Sequence, residues 1–222
     1  MLKTLVTIMT KEISGLIIRL VDYKESSYIV HILTNNSIES VVCKGIKKQT
    51  SKLKGYIQIY SYVTVLVTDG KIPILTDISE YKRYDNICTN LNKYKYAGLL
   101  INMLYKEKYE NNKVYELALK SIDFIDSGNE EYYYYLFLLK NLFFIGLGLN
   151  FTGISDKIVG YNIPESKLVF SNDSISADIS KTNTLTICEL YYSHLEEVID
   201  VDLIMLKTFL KKYYEIHASI KI

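Results

Sequence analysis

The sequence predicts an α+β protein built in two parts: a five-stranded barrel over residues 1–82 and a helical domain over 83–222. Three observations predict it. The first 80 residues hold five short runs rich in Ile, Val, Tyr and Thr, the types that suit a pleated, half-buried surface. After residue 85 the apolar spacing changes from two to three and four, the period of a helix. Nearly half the residues, 49%, are apolar, which is enough to bury a sizeable core.

The strand runs are "ISGLIIRL" (13–20), "YIVHIL" (28–33), "IESVVC" (38–43), "YIQIYSYVTVLVT" (56–68) and "KIPILTDISE" (71–80). "TNNS" separates the second from the third. "TDGK" separates the fourth from the fifth, and its Asp-Gly pair is a hairpin signal because a type I′ turn needs positive φ at both central residues. A long gap follows the third run. Five short strands with such a gap suggest a small barrel, closed or partly open, with an open sandwich as the alternative.

The helical part begins with 87–109, where Leu91, Tyr94, Gly98, Ile101 and Tyr105 recur at helical spacing. In "NNKVYELALKSIDFID", Val114, Leu117, Ala118, Ser121, Ile122 and Ile125 share a face, and Asn111 or Asn112 can cap the start. Residues 131–147 are apolar nearly all round, as a central helix would be. "TICELYYSHLEEVI" and "DVDLIMLKTFLKKYYEIH" complete the set, with Thr186 and Glu189 spaced as a capping box. Residues 148–183 are polar, contain Gly153, Gly160 and Pro164, and include one strand-like piece, "KLVFS". They read as an irregular insert.

Composition excludes several classes. With 26 basic and 25 acidic residues, no global field draws nucleic acid, so only a local patch remains. Cys43, Cys88 and Cys188 lie far apart with no CxxC pair, which fits a reducing compartment. No run reaches the ~18 consecutive apolar residues of a membrane span. A cytoplasmic, soluble protein is expected. No phosphate-binding GxxxxGK[ST] loop occurs. His31, His194 and His217 have no nucleophile arranged beside them, and Cys188 with His194 does not have zinc-ligand spacing. The three histidines read as surface imidazoles and the cysteines as core thiols. No catalytic residue, cofactor or metal is expected.

One stretch stands out. "VVCKGIKKQTSKLKGYIQIYSYVTVLV" (41–67) carries five lysines and no acid. Lys44, Lys47, Lys48, Lys52 and Lys54 fill the gap between the third and fourth strands, with Gly45 and Gly55 flanking them. Flexible cations, small hydroxyl donors and few acids are what a phosphate backbone requires. Arg19 and Lys24, on or just after the first strand, extend the set. Lysine runs also serve as plain solvated surface. Tyr56, Tyr60 and Tyr62 alternate after the loop and so point to one face, either to stack bases or to fill the barrel; core is the reading for at least some.

These stretches together resemble the RecO family of bacterial recombination mediators. "GLIIRLVDYKESSYIVHILTNN" is similar to the family's opening strand pair, and residues 41–67 to its Lys-Gly-basic-basic segment and following strand. "LFLLKNLFFIGLGLNFTG" and "LKTFLKKYYEIH" are similar to its Leu-Gly helix end and its C-terminal helix. The resemblance covers nearly the whole chain in order. It implies an OB-fold barrel, then a helical domain with a small insert. It implies binding of single- and double-stranded DNA, strand annealing, and work with RecR and the tail of single-stranded-DNA-binding protein to help load RecA, associated with the nucleoid. Many relatives hold a zinc ion with four cysteines in the insert. Residues 148–183 contain none, so the insert is expected to lack zinc and to rest on Phe151, Ile154, Ile158, Val159, Leu168 and Phe170. The chain ends at "EIHASIKI", where the family continues with a basic segment, leaving Lys207, Lys211, Lys212 and Lys221. Lys140 and Lys95 are candidates for the rim of a partner-peptide groove.

The expected function is therefore a non-catalytic, DNA-binding recombination mediator. A general OB-fold RNA- or single-strand-binding protein and a pure protein-interaction scaffold are the alternatives.

Overall fold

The computed structural model describes residues 10–68, 71–106, 112–220 and 222, without the side chain of Lys106. Lys221, the Asp69-Gly70 turn and the cap at Asn111 lie outside the described residues. The chain divides into two compact units, 1–119 and 120–222.

In the first unit, β1 (Thr10–Tyr23), β2 (Ser27–Leu33), β3 (Ile38–Cys43), β4 (Ser61–Thr68) and β5 (Ile74–Arg83) close into a barrel in the order β1-β2-β3-β5-β4. Long β1 makes closure possible. Its first half pairs with β4 and its second half with β2, and Leu16 faces both Tyr62 and Leu33. The register shifts between Ile17 and Arg19, a bulge of the kind that bends a strand around a barrel corner. Gly15 sits at the bend, where an added Cβ would lie 2.1 Å from the Leu33 carbonyl oxygen. β3 and β5 run parallel and meet at Val42 and Ile74, and the Val42 amide donates to the Pro73 carbonyl at 2.8 Å. Alternation fills the interior: Val63, Val65 and Val67 of β4 meet Ile13, Ile17, Val30, Ile32 and Val41.

The fourth strand is shorter than the sequence predicts. Residues 56–60 are not strand, because Tyr60 has φ of 62° and the chain turns at 53–57, where the Tyr56 and Ile57 amides both donate to the Leu53 carbonyl. Tyr56, Tyr60 and Tyr62 therefore do not share a face. Tyr56 is exposed, Tyr60 is buried with its amide on the Ile17 carbonyl, and Tyr62 is half-buried.

The helix expected over 87–109 is two: α1 (Asp85–Thr89) and α2 (Leu91–Lys106). Asn90 divides them. It is extended, and its Oδ1 accepts from the Asn92 and Lys93 amides at 2.9 and 3.2 Å. An Asn that ends one helix and caps the next is a local choice that periodicity does not reveal. α3 (Asn112–Ser127) buries Val114, Leu117, Ala118, Ser121, Ile122 and Ile125, the face its spacing predicts.

In the second unit, α4 (Glu130–Phe144) is buried continuously from Tyr132 to Leu139 and capped by Asn129. Between α4 and α5 (Lys181–Tyr192) the insert is not irregular. It forms a three-stranded sheet of β6 (Ile158–Asn162), β7 (Lys167–Phe170) and β8 (Ile179–Ser180) in the order β7-β6-β8. Of its expected contacts, Phe151, Ile158 and Leu168 are buried, Phe170 is half-buried, and Ile154 and Val159 are exposed. Polar bonds do the rest of the fastening. The Ser166 hydroxyl lies 2.9 Å from the Tyr161 hydroxyl and 2.6 Å from that of Tyr213 in α6 (Leu203–His217), and Lys212 pairs with Asp178 at 2.5 Å. Ser180, not Thr186, caps α5, whose first turn starts six residues earlier than expected; Thr186 instead bonds back to the Thr182 carbonyl. Asp202 caps α6.

Candidate nucleic-acid interface

Residues 44–60 close one end of the barrel. Ile46 and Ile57 are buried in the barrel core and tie the loop down at two points. Gly45, at φ of 68°, lets the chain leave β3, and its amide donates to the Ser27 hydroxyl at 3.2 Å. The Lys47 amide donates to the Ser26 carbonyl at 3.0 Å, which fixes the loop against the β1–β2 turn. That turn carries Lys24, whose own φ is 52° and whose Nζ lies 5.3 Å from the centroid of the Tyr23 ring.

A groove of about 480 Å³ opens beside this loop. Half-buried Leu20 and Ile59 contribute apolar surface over the buried Ile46 and Ile57, and Tyr28 of β2 and Tyr94 of α2 contribute rings. Lys47, Lys54 and Gln58 are its charged and polar groups, and no described carboxylate lines it. Tyr94 is held edge-on by Tyr60, with ring centroids 5.0 Å apart. The buried Tyr60 hydroxyl also donates to the Tyr94 carbonyl at 3.4 Å. Lys47 is fixed twice: its Nζ is 2.5 Å from Asp22 Oδ1 and 4.9 Å from the centroid of the Tyr28 ring.

The candidate cations divide into groups. Lys47 and Lys54 share the groove. Lys44 and Lys48 are exposed on the same loop and make no ion pair among the described residues. Lys52 lines a separate hollow of about 290 Å³, which it shares with Tyr56, Tyr81, Asp77 and Glu80. Arg19 is not part of the groove. It points to the outer face of β1, opposite His31, and its guanidinium lies 5.0 Å from the centroid of the Tyr105 ring.

The structure also revises the histidines and cysteines. His31 is half-buried, with Nδ1 3.0 Å from the Ser40 hydroxyl, and burial together with Arg19 lowers its pKa. His217 Nε2 lies 2.7 Å from the Ile163 carbonyl, so only His194 is an exposed imidazole. Cys43 is in the barrel core, where burial pushes its thiol up to about 11, while Cys88 and Cys188 are half-buried. Among the described residues no cluster of three His, Cys, Asp or Glu side chains could hold a metal. Lys140 does not present its charge to a surface groove: its Nζ donates to the carbonyls of Leu190 and Ser193 at the end of α5, the first at 2.9 Å, and burial pulls it down to about 8. Lys95 is exposed, its Nζ 5.2 Å from the centroid of the Tyr96 ring.

Sequence reasoning missed Tyr28, Gln58 and Tyr94. Tyr28 had a signal, since it directly follows the polar turn that the lysine loop contacts. Tyr94 had none, because only the closed fold brings α2 to the loop.

Residues 9–82 match the family described as "Recombination protein O N terminal". The chain is 28% identical over 118 residues to the DNA repair protein RecO of Roseiflexus sp. (strain RS-1), a stretch covering 51% of this chain and 42% of that protein. It is 27% identical over 124 residues to the DNA repair protein RecO of Lactobacillus helveticus, covering 53% and 50%. The DNA repair protein RecO of Leuconostoc mesenteroides is 27% identical over 110 residues, covering 46% and 41%. The chain thus spans half or less of the length of the curated relatives it matches. The family match takes in almost all of the barrel, lysine loop included, so the likeness to RecO proteins is carried by that domain.

Proposed function

We propose that this protein acts in DNA repair and recombination as a non-catalytic mediator that binds DNA through its barrel. The barrel's strand order, 1-2-3-5-4 with β1 shared between β2 and β4, supports an OB-fold reading. The observation that carries the proposal is the groove beside the lysine loop, lined by Lys47, Lys54, Tyr28 and Tyr94 and by no described carboxylate. Lys44, Lys47, Lys48 and Lys54 neutralise phosphates of one strand, with Lys24 and Lys52 at the margins and Arg19 on a separate outer face. Neutralisation lowers the repulsion felt by a second strand, and annealing follows. RecR, the tail of single-stranded-DNA-binding protein and RecA loading extend the proposal through the relatives' family. So do a cytoplasmic, nucleoid-associated location and a zinc-free insert. No described helix is long and apolar enough to cross a membrane.

Fluorescence anisotropy of a labelled single strand tests the proposal, followed by addition of the complement. Four phosphate contacts give a log–log salt slope of about −3 on single strands. A Lys47→Glu, Lys48→Glu variant that folds and still binds as tightly as the parent overturns the loop as the interface. A protein that prefers RNA, or one that ignores both nucleic acids, returns the general RNA-binding or scaffold reading.

A further inference from the structure

We propose that the groove is a slot for a single unstacked nucleobase, with Tyr94 of α2 as its stacking ring. The proposal rests on the DNA-binding reading and goes beyond it by naming what the groove accepts. Electrostatics alone explains lysines on a loop, but it does not explain an apolar hollow between them. Half-buried Leu20 and Ile59, over the buried Ile46 and Ile57, give the groove a surface that no phosphate would choose. Its 480 Å³ lies within the range of sites that hold small ligands. Lys47 and Lys54 line it and no described carboxylate does, Asp22 pairing with Lys47 from outside the lining, so an anionic occupant with an apolar, flat portion suits it. A nucleotide of a single strand has both parts: a planar base and a phosphate on each side.

The ring is prepared for this. Tyr94 is 46% exposed although its neighbour Tyr60 is buried. Tyr60 meets it at an interplanar angle of 87°, an arrangement that braces the ring without stacking against it. Gln58 lines the same groove and carries both a donor and an acceptor for a base edge. Exposed Lys44 and Lys48 on the same loop give the strand phosphates a path beyond the slot. That continuity selects a strand over a free nucleotide. A duplex keeps its bases stacked and cannot fill the slot, so the groove distinguishes single from double strands.

The test compares two labelled oligonucleotides of equal length and charge, one of thymidines and one entirely abasic, by anisotropy at fixed salt. The wild-type protein should bind the thymidine strand more tightly. Tyr94→Ala should lower affinity for the thymidine strand roughly 5- to 150-fold, the range for removing one stacking ring. It should leave abasic affinity unchanged, and Tyr94→Phe should retain the parent's behaviour. Equal wild-type affinity for both strands overturns the slot while leaving phosphate binding intact. Equal loss on both strands by Tyr94→Ala shows a merely structural role and also overturns it. Wild-type protein that binds neither strand overturns the DNA-binding reading itself, and the slot with it.

Discussion

In the proposed DNA-binding mode a phosphate would meet Lys47 where Asp22 pairs with it, so Asp22→Asn should tighten DNA binding. The Lys47 Nζ lies 2.5 Å from Asp22 Oδ1, with the lysine side chain 28% and the aspartate 77% exposed. An exposed pair of this kind is worth about 0–1 kcal/mol. Strand binding through Lys47 must first give up that pair. Releasing it in advance should therefore raise single-strand affinity by up to about fivefold, the factor that ~1 kcal/mol supplies. The salt slope should steepen by up to about 0.7, one phosphate on a single strand. Because the aspartate is well exposed, thermal stability should hardly change. Anisotropy across a salt series reads both quantities. The substitution also adds one positive charge to the whole molecule, so the same change is made in a Lys47→Gln background. There it should have no effect. An unaltered affinity for Asp22→Asn, or an equal gain without Lys47, would refute a specific exchange of Asp22 for phosphate.

Two further outcomes concern the scaffold. Gly15→Ala should lower the stability of the barrel by at least about 1–3 kcal/mol in chemical unfolding, because its Cβ would meet the Leu33 carbonyl oxygen at 2.1 Å and a methyl of Ile32 at 2.8 Å. An unchanged midpoint would show that β1 bends elsewhere. Burial raises the pKa of nine described tyrosines, among them Tyr134 and Tyr161, each to about 12. A raised folded value means that the folded state holds its protons longer than the unfolded one. The contribution is thus fully present below about pH 10 and is lost as pH climbs through the folded values. Phenolate absorbance should rise in two stages, the second coinciding with loss of circular dichroism; full ionisation near pH 10 with the fold intact would contradict it.

The barrel was legible because its signals are local. Val63, Val65 and Val67 alternate inward, and each strand is bounded by turn residues that any reading of the sequence can see. The helices were legible where one face is apolar, as in α3, and misread where a single side chain decides. Asn90 splits one expected helix in two, and Ser180 starts α5 early. The insert was misread because composition describes it poorly. Its strands are two to five residues long, and they cohere through Gly160 and through Ser166 and Asp178 bonded to α6. Period and propensity carry no trace of bonds between residues 47 positions apart, as Ser166 and Tyr213 are.

The candidate interface shows the same division in one place. The lysines were legible because charge is a property of composition, and five in one gap without an acid needs no fold to notice. Their inequality was not legible. Lys47 is committed to Asp22 and Tyr28, Lys52 lines a hollow that Asp77 and Glu80 also line, and Arg19 lies over the Tyr105 ring on another face. A loop read as one cationic surface is therefore a short path of Lys44, Lys48 and Lys54 leading past an apolar hollow. The hollow itself requires three separate events: Ile46 and Ile57 must plug the barrel, Tyr60 must turn inward at positive φ, and α2 must arrive with Tyr94. Each of these spends residues that sequence patterning assigns to core. The same packing that makes the barrel stable thus shapes the groove, and a ring such as Tyr94 acquires its proposed role only from the neighbours that leave it exposed.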